Sequence, residues 1–249
     1  ERAPRLCRLP AAWLARTTRL LRSEQQVFIL RRSAGFAYSF LSVLRAEPGN
    51  CRPTLLPIAM DHLLHVASRG MSRQAEPLAT TTAPARGHLG TASWRACVHA
   101  LNVLRLVLLD SCFRADLDTY VVQCLQLAVS GFRSPRWAVR NSAMMIFSAV
   151  VQRAVDNEKS EASTGPGASR GPTAYELFDR HPEMFAFLLE ELSVAIQSTE
   201  VTAHAAPVST DTTMGNDAAA PRHPSLYPLL LLLAKLRAPR EDRDGATLS

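Results

Sequence analysis

Lysine is almost missing from this 249-residue chain; Lys159 and Lys235 are the only two, so nearly all of its positive charge is guanidinium. Aromatic residues make up only 6%, and Leu, Ala and Val carry the apolar load, as suits helix packing. The five cysteines (Cys7, Cys51, Cys97, Cys112 and Cys124) form an odd set without a C-x-x-C pair. That excludes a disulfide framework or a zinc ribbon and points to reduced thiols inside the cell, so a cytoplasmic protein is expected. The longest apolar run, Tyr227 to Ala234, is far short of the roughly 20 residues of a membrane span. No membrane association is expected, and the chain reads as soluble. Sustained period-2 alternation is absent too, and without a sheet there is no strand-end crevice for a nucleotide or methyl donor. G-x-S-x-G, a P-loop and G-x-G-x-x-G after a strand are all lacking. No enzyme and no cofactor is expected.

What is present is mostly helix-forming. Hydrophobic residues reach 47% and charged residues 20%, ample material for a buried core. One pattern occurs twice. Leu30 to Ser39 and Val139 to Ser148 align without gaps and share an aliphatic start, Arg31/Arg140, Ser33/Ser142, Ala34/Ala143, Tyr38/Phe147 and Ser39/Ser148. Such self-similarity marks stacked-helix solenoids, whose units bury their apolar faces on one another. The two copies lie 109 residues apart, consistent with two or three helical pairs. The expected fold is all-α, an armadillo/HEAT-like α-solenoid segment of about nine helices. The missing initiator Met and the polar ending at Ser249 suggest an excerpt of a longer polypeptide.

Charge is uneven. Of the net +6, residues 1–45 hold nine arginines against Glu1 and Glu24, leaving the remainder near neutral. A basic end on a neutral body suits an anionic partner, RNA first. The same composition fits coding bias or a transit peptide.

The spacing predicts a helix over Leu9–Arg22 with Trp13, Leu14, Leu20 and Leu21 on its apolar side, and a long one from Ser23 to Arg45. A third runs from Pro53 to Ser68 and is closed by Gly70; residues 71–93 read as a surface loop. Trp94–Leu109 and Asp116–Val129 follow, the latter stopped by Gly131. Ser134-Pro135 should cap and open the helix that carries the second copy to about Val155. Thr173 and Pro182 start two more, the second with Phe185, Leu188, Leu189 and Leu192 on one face. Pro224–Arg237 is the last. Residues 1–156 and 173–237 are then helical repeat regions, joined by a linker at 157–172, with an insert at 199–221 and a polar tail at 238–249.

Arg31-Arg32-Ser33-Ala34-Gly35 is the leading candidate site: paired guanidiniums grip phosphate oxygens, and the small residues admit a close neighbour. Against this, an Arg heading an inner helix commonly bridges an acidic turn, and Arg140 is expected to do so with Asp110 or Asp116. Arg133 and Arg136 flank a turn and are further candidates for phosphate contact, although a solvated turn is the favoured reading of both; Trp137 should be a packing anchor. Asp61, His62 and His65 share one helix, but no Glu-x-x-His partner set follows, so no metal is expected. Cys97 and His99 face different directions on a helix and make a poor catalytic pair.

Arg31 to Gly35, the helix with His99 to Arg105, Gly131-Phe132 through Ser134-Pro135, Trp137, Val139 to Ser142, Phe147-Ser148 and His223 to Pro228 occur in an order that resembles one family. It is the family of thyroid adenoma-associated protein (THADA) and its fungal tRNA-methylation counterparts. The resemblance implies a non-catalytic partner of an FtsJ-like ribose 2′-O-methyltransferase acting on the tRNA anticodon loop, with Arg31 to Gly35 as the functional element. Where the family continues with an aliphatic residue and Pro, this chain has Phe36-Ala37. The other reading is a HEAT-type adaptor that binds proteins without RNA. Homo-oligomers are not expected.

Overall fold

A computed structural model describes residues 8–22, 34–47, 54–75, 94–156, 172–204 and 223–237. Among them lie nine α-helices and no strand: α1 (Leu9–Arg22), α2 (Ala34–Arg45), α3 (Leu55–Ala75), α4 (Trp94–Leu109), α5 (Val121–Phe132), α6 (Trp137–Asp156), α7 (Ala174–Arg180), α8 (Pro182–His204) and α9 (Leu226–Leu233). The expected all-α, solenoid-type class is observed. No helix among the described residues is long and apolar enough to cross a membrane.

Two elements end where glycine was expected to end them earlier. α3 runs through Gly70 and α5 through Gly131. Both glycines mark close helix crossings. A Cβ on Gly70 would lie 2.6 Å from Cys97 Cβ of α4, and one on Gly131 would lie 2.6 Å from Ala143 Cβ of α6. The missing side chain outweighs the intrinsic helix cost of glycine, roughly 1 kcal/mol, because it lets a neighbouring backbone approach. These crossings join late α3 to early α4 and late α5 to early α6, so each pair is an antiparallel hairpin.

The chain divides into two units, 1–153 and 154–249. In the first, the hairpins stack in two layers. α1 touches α3, and α3 touches α5; on the other side α2 touches α4. Within the second layer the helices run parallel. Phe36 of α2 meets His99 of α4 edge-on at 6.1 Å, and at the far end Arg45 pairs with Asp110 at 2.6 Å. Likewise the Arg136 guanidinium lies 5.7 Å over the Trp94 ring, while Arg153 Nη1 donates to the Leu108 carbonyl at 2.9 Å. α2, α4 and α6 therefore present their N-termini at one edge.

The repeated pattern occupies equivalent places in α2 and α6. Gly35 and Met144 are exposed, Ala37 and Ile146 buried, Ser39 and Ser148 exposed, Leu41 and Val150 buried. Tyr38 departs, being 60% exposed where Phe147 is buried against Phe132 at 5.6 Å.

Other details correct the sequence reading. In α1 the buried side is Leu14, Thr17, Thr18 and Leu21, whereas Trp13 is exposed; both hydroxyls donate to the Leu14 carbonyl, which satisfies them inside the helix. α6 begins at Trp137, not at Pro135. Ser134 Oγ accepts from the Arg136 N–H at 3.2 Å, and the Val139 and Arg140 N–H groups bond the Arg136 carbonyl, so the first helical turn starts two residues later. Residues 118–120 form a short 3₁₀ turn ahead of α5.

In the second unit α7 has a capping box: Thr173 Oγ1 accepts from the Glu176 N–H at 3.2 Å, and Glu176 accepts from the Thr173 N–H at 2.6 Å. α8 runs through residues 199–204, which were assigned to an insert, and its buried residues are Met184, Leu188 and Ala195. Phe185 and Leu189 face solvent; Phe185 is held edge-on by Phe178 at 5.2 Å. α9 is shorter than expected, and after it the Arg237 N–H bonds the Pro172 carbonyl at 2.9 Å.

Candidate nucleic-acid interface

The shared edge of α2, α4 and α6 differs in charge from the opposite one. Helix N-termini ordinarily favour acids in their first turn, since the backbone there carries partial positive charge. None of these three has one. From Ser130 to Asn141 the chain holds Arg133, Arg136 and Arg140 and no acid. At the other edge the carboxylates are engaged in structure. Asp110 accepts from the Cys112 N–H at 2.9 Å and pairs with Arg45, and Asp118 lies 3.9 Å from Arg153.

The guanidiniums of the rim have distinct jobs. Arg140 Nη1 donates to the Ser134 and Pro135 carbonyls at 2.8 and 2.9 Å, pinning the turn before its own helix. The expected bridge from Arg140 to Asp110 or Asp116 is not made: Arg140 is spent on the turn at this edge, whereas Asp110 lies at the opposite edge and pairs with Arg45. Arg136 sits over Trp94, whose ring also carries the Arg95 guanidinium at 5.4 Å. Among the described residues Arg136 has no carboxylate partner. Arg133 is exposed in the turn after α5.

Trp137 is 70% exposed and is not the packing anchor expected of it. The buried stripe of α6 begins at Val139 and continues through Ser142, Ala143 and Ile146. Two residues before Val139, Trp137 points away from that stripe by helical geometry.

Of the sequence-predicted site, Arg31, Arg32 and Ser33 lie outside the described residues. Ala34 opens α2. Gly35 is exposed, and a Cβ placed on it would meet nothing within 4 Å. Its smallness therefore serves no contact with the other described residues. The structure brings together Arg136 and the unanticipated Trp94 and Arg95. A signal for these was available: two of the three tryptophans stand at the first position of parallel helices, each near arginine.

Nucleophilic chemistry finds no support in the buried thiols. Burial pushes Cys97 up to about 12 and Cys124 to about 12, so neither is a thiolate near neutrality. Burial also lowers the His99 imidazole, which faces Phe36. No group of three or more metal-ligating side chains occurs among the described residues.

A two-layered stack of antiparallel helix pairs with an arginine- and tryptophan-bearing rim defines a helical-repeat protein. Comparison with known proteins gives it a family. Residues 1–138 match the family model described as THADA/TRM732, DUF2428, and residues 140–249 match Trm732, C-terminal TPR repeats. The chain belongs to the THADA/Trm732 family. It is 31% identical to the tRNA (32-2'-O)-methyltransferase regulator THADA of Homo sapiens over 98% of its own length, and 25% identical to the regulator trm732 of Schizosaccharomyces pombe over 76%. The chain spans only 11% and 12% of those relatives. No solved structure matches it.

Proposed function

We propose that this segment belongs to a cytoplasmic, non-catalytic scaffold that partners an FtsJ-like ribose 2′-O-methyltransferase and helps it modify the tRNA anticodon loop. The enzyme supplies the active site and the methyl donor; the helical surface positions enzyme and tRNA. The observation that carries this reading is the rim where three parallel helices begin beside Arg133 and Arg136 with no acid in their first turns, the Arg31–Gly35 block running in sequence into one of them. Exposed guanidiniums suit phosphate, and among the described residues that of Arg136 has no carboxylate partner; the names of the relatives fit a regulator of ribose methylation. Replacing Arg31 and Arg32 together by Glu in the full-length protein should abolish 2′-O-methylation of tRNA in cells while leaving helicity intact. Unchanged methylation in those cells sinks the assignment.

One observation favours a protein-binding adaptor instead. A cavity of about 520 Å³ between α3 and α5 is lined by Ser68, Gln123 and Gln126 together with the apolar Leu64, Met71 and Leu127, and by no Lys or Arg among the described residues. Amides and hydroxyls of this kind suit a peptide backbone better than phosphate. Recovery of protein clients alone, with neither methyltransferase nor tRNA, selects that reading.

A further inference from the structure

We propose that the rim takes single-stranded RNA, with the exposed Trp137 indole as the platform on which an unpaired nucleobase stacks and with Arg133 and Arg136 contacting the adjoining phosphates. The inference rests on the tRNA part of the function proposed above and names the form of RNA that this surface recognises.

Three observations lead to it. Trp137 is 70% exposed at the start of a helix whose apolar stripe lies on another side, so packing does not account for an aromatic residue there. Arg136, the next residue back, is held over Trp94 at 5.7 Å, which sets its guanidinium at the rim with no carboxylate among the described residues to neutralise it. The turn that carries both is pinned: Arg140 bonds the Ser134 and Pro135 carbonyls, and Ser134 Oγ accepts from the Arg136 N–H. A flat aromatic face beside guanidiniums, on a turn that does not need to reorganise, matches what unstacked bases and their phosphates require. A duplex offers no free base face, and the deep, narrow major groove of A-form RNA excludes an indole. Double-stranded RNA is therefore the wrong partner for this site.

The test uses the full-length protein and two fluorescein-labelled probes, a 12-nucleotide oligoadenylate and a 12-base-pair RNA duplex. Wild type should bind the single strand more tightly than the duplex. Trp137→Ala should weaken single-strand binding by about 5- to 150-fold, Trp137→Phe should restore most of it, and neither should change the melting temperature, since the side chain is exposed. Arg133→Ala should instead reduce the dependence of binding on salt by about one ion per site, which Trp137→Ala should not. Equal affinity for the two probes, or unchanged binding by Trp137→Ala, overturns the proposal. So does loss of methyltransferase recovery by Trp137→Ala with RNA affinity intact, which makes the indole a protein contact. Each of these results leaves the scaffold reading standing, because that reading fails separately, on unchanged methylation after the Arg31/Arg32 reversal.

Discussion

Three helical glycines illustrate how differently one residue type behaves. Gly70 and Gly131 sit where a Cβ would come within 2.6 Å of Cys97 Cβ and Ala143 Cβ. Neither neighbour is the tip of a flexible side chain, so the hairpins must part to admit a methyl group. Gly131→Ala should destabilise the protein by about 1–3 kcal/mol. Gly35, with nothing among the described residues within 4 Å of an added Cβ, should respond in the opposite sense: Gly35→Ala should gain up to about 1 kcal/mol of helix stability. Urea denaturation of the full-length variants distinguishes the two. If Gly35→Ala stabilises the fold but lowers methylation, the glycine is there to let another molecule come close. Sequence alone marks all three as helix breakers or oddities. Separating them needs the neighbour across the crossing, which no local pattern encodes.

At the scale of elements, periodicity located most of the helices. Leu9–Arg22 and Trp94–Leu109 were legible to the residue because apolar side chains recur through each, and a turn or a low-complexity stretch bounds the second. α3, α5 and α8 run past the glycine or polar residues expected to stop them; in α3 and α5 those glycines are buried at helix crossings, which overrides their low helix propensity. The Asp110–Asp118 segment was not legible either, since it is held by distant groups. Arg153, buried in α6, donates to the Leu108, Phe113 and Arg114 carbonyls and faces Asp118. Burial lowers its affinity for the proton, and Asp118 opposes that shift. A guanidinium 45 residues away thus supplies the donors that the end of α4 lacks. Arg153→Leu keeps much of the bulk but orphans those carbonyls. It should cost about 2–4 kcal/mol, read as a lower denaturation midpoint with an unchanged slope.

For the molecule as a whole, the repeat was the decisive sequence signal. Its two copies head α2 and α6, the outer pair of three parallel helices, and their exposure pattern agrees at most positions. That the copies imply a stack was readable from sequence. That α4 lies between them, and brings Trp94 and Arg95 to the same edge, was not, because no copy of the pattern marks α4. The candidate site was legible in the same measure. A turn flanked by charge marks Arg133 and Arg136 as candidates, and the structure shows both exposed; the exposure of Trp137 is not readable from sequence, because tryptophan is usually buried.

The central claim is that this rim faces tRNA while a methyltransferase does the chemistry. Ultraviolet cross-linking of the full-length protein with its methyltransferase and tRNA, read by mass spectrometry of the adducted peptides, tests it most directly. The account predicts nucleotide adducts on residues 31–35 and 133–137. Adducts confined to other faces, in a complex that still methylates its tRNA, would contradict it.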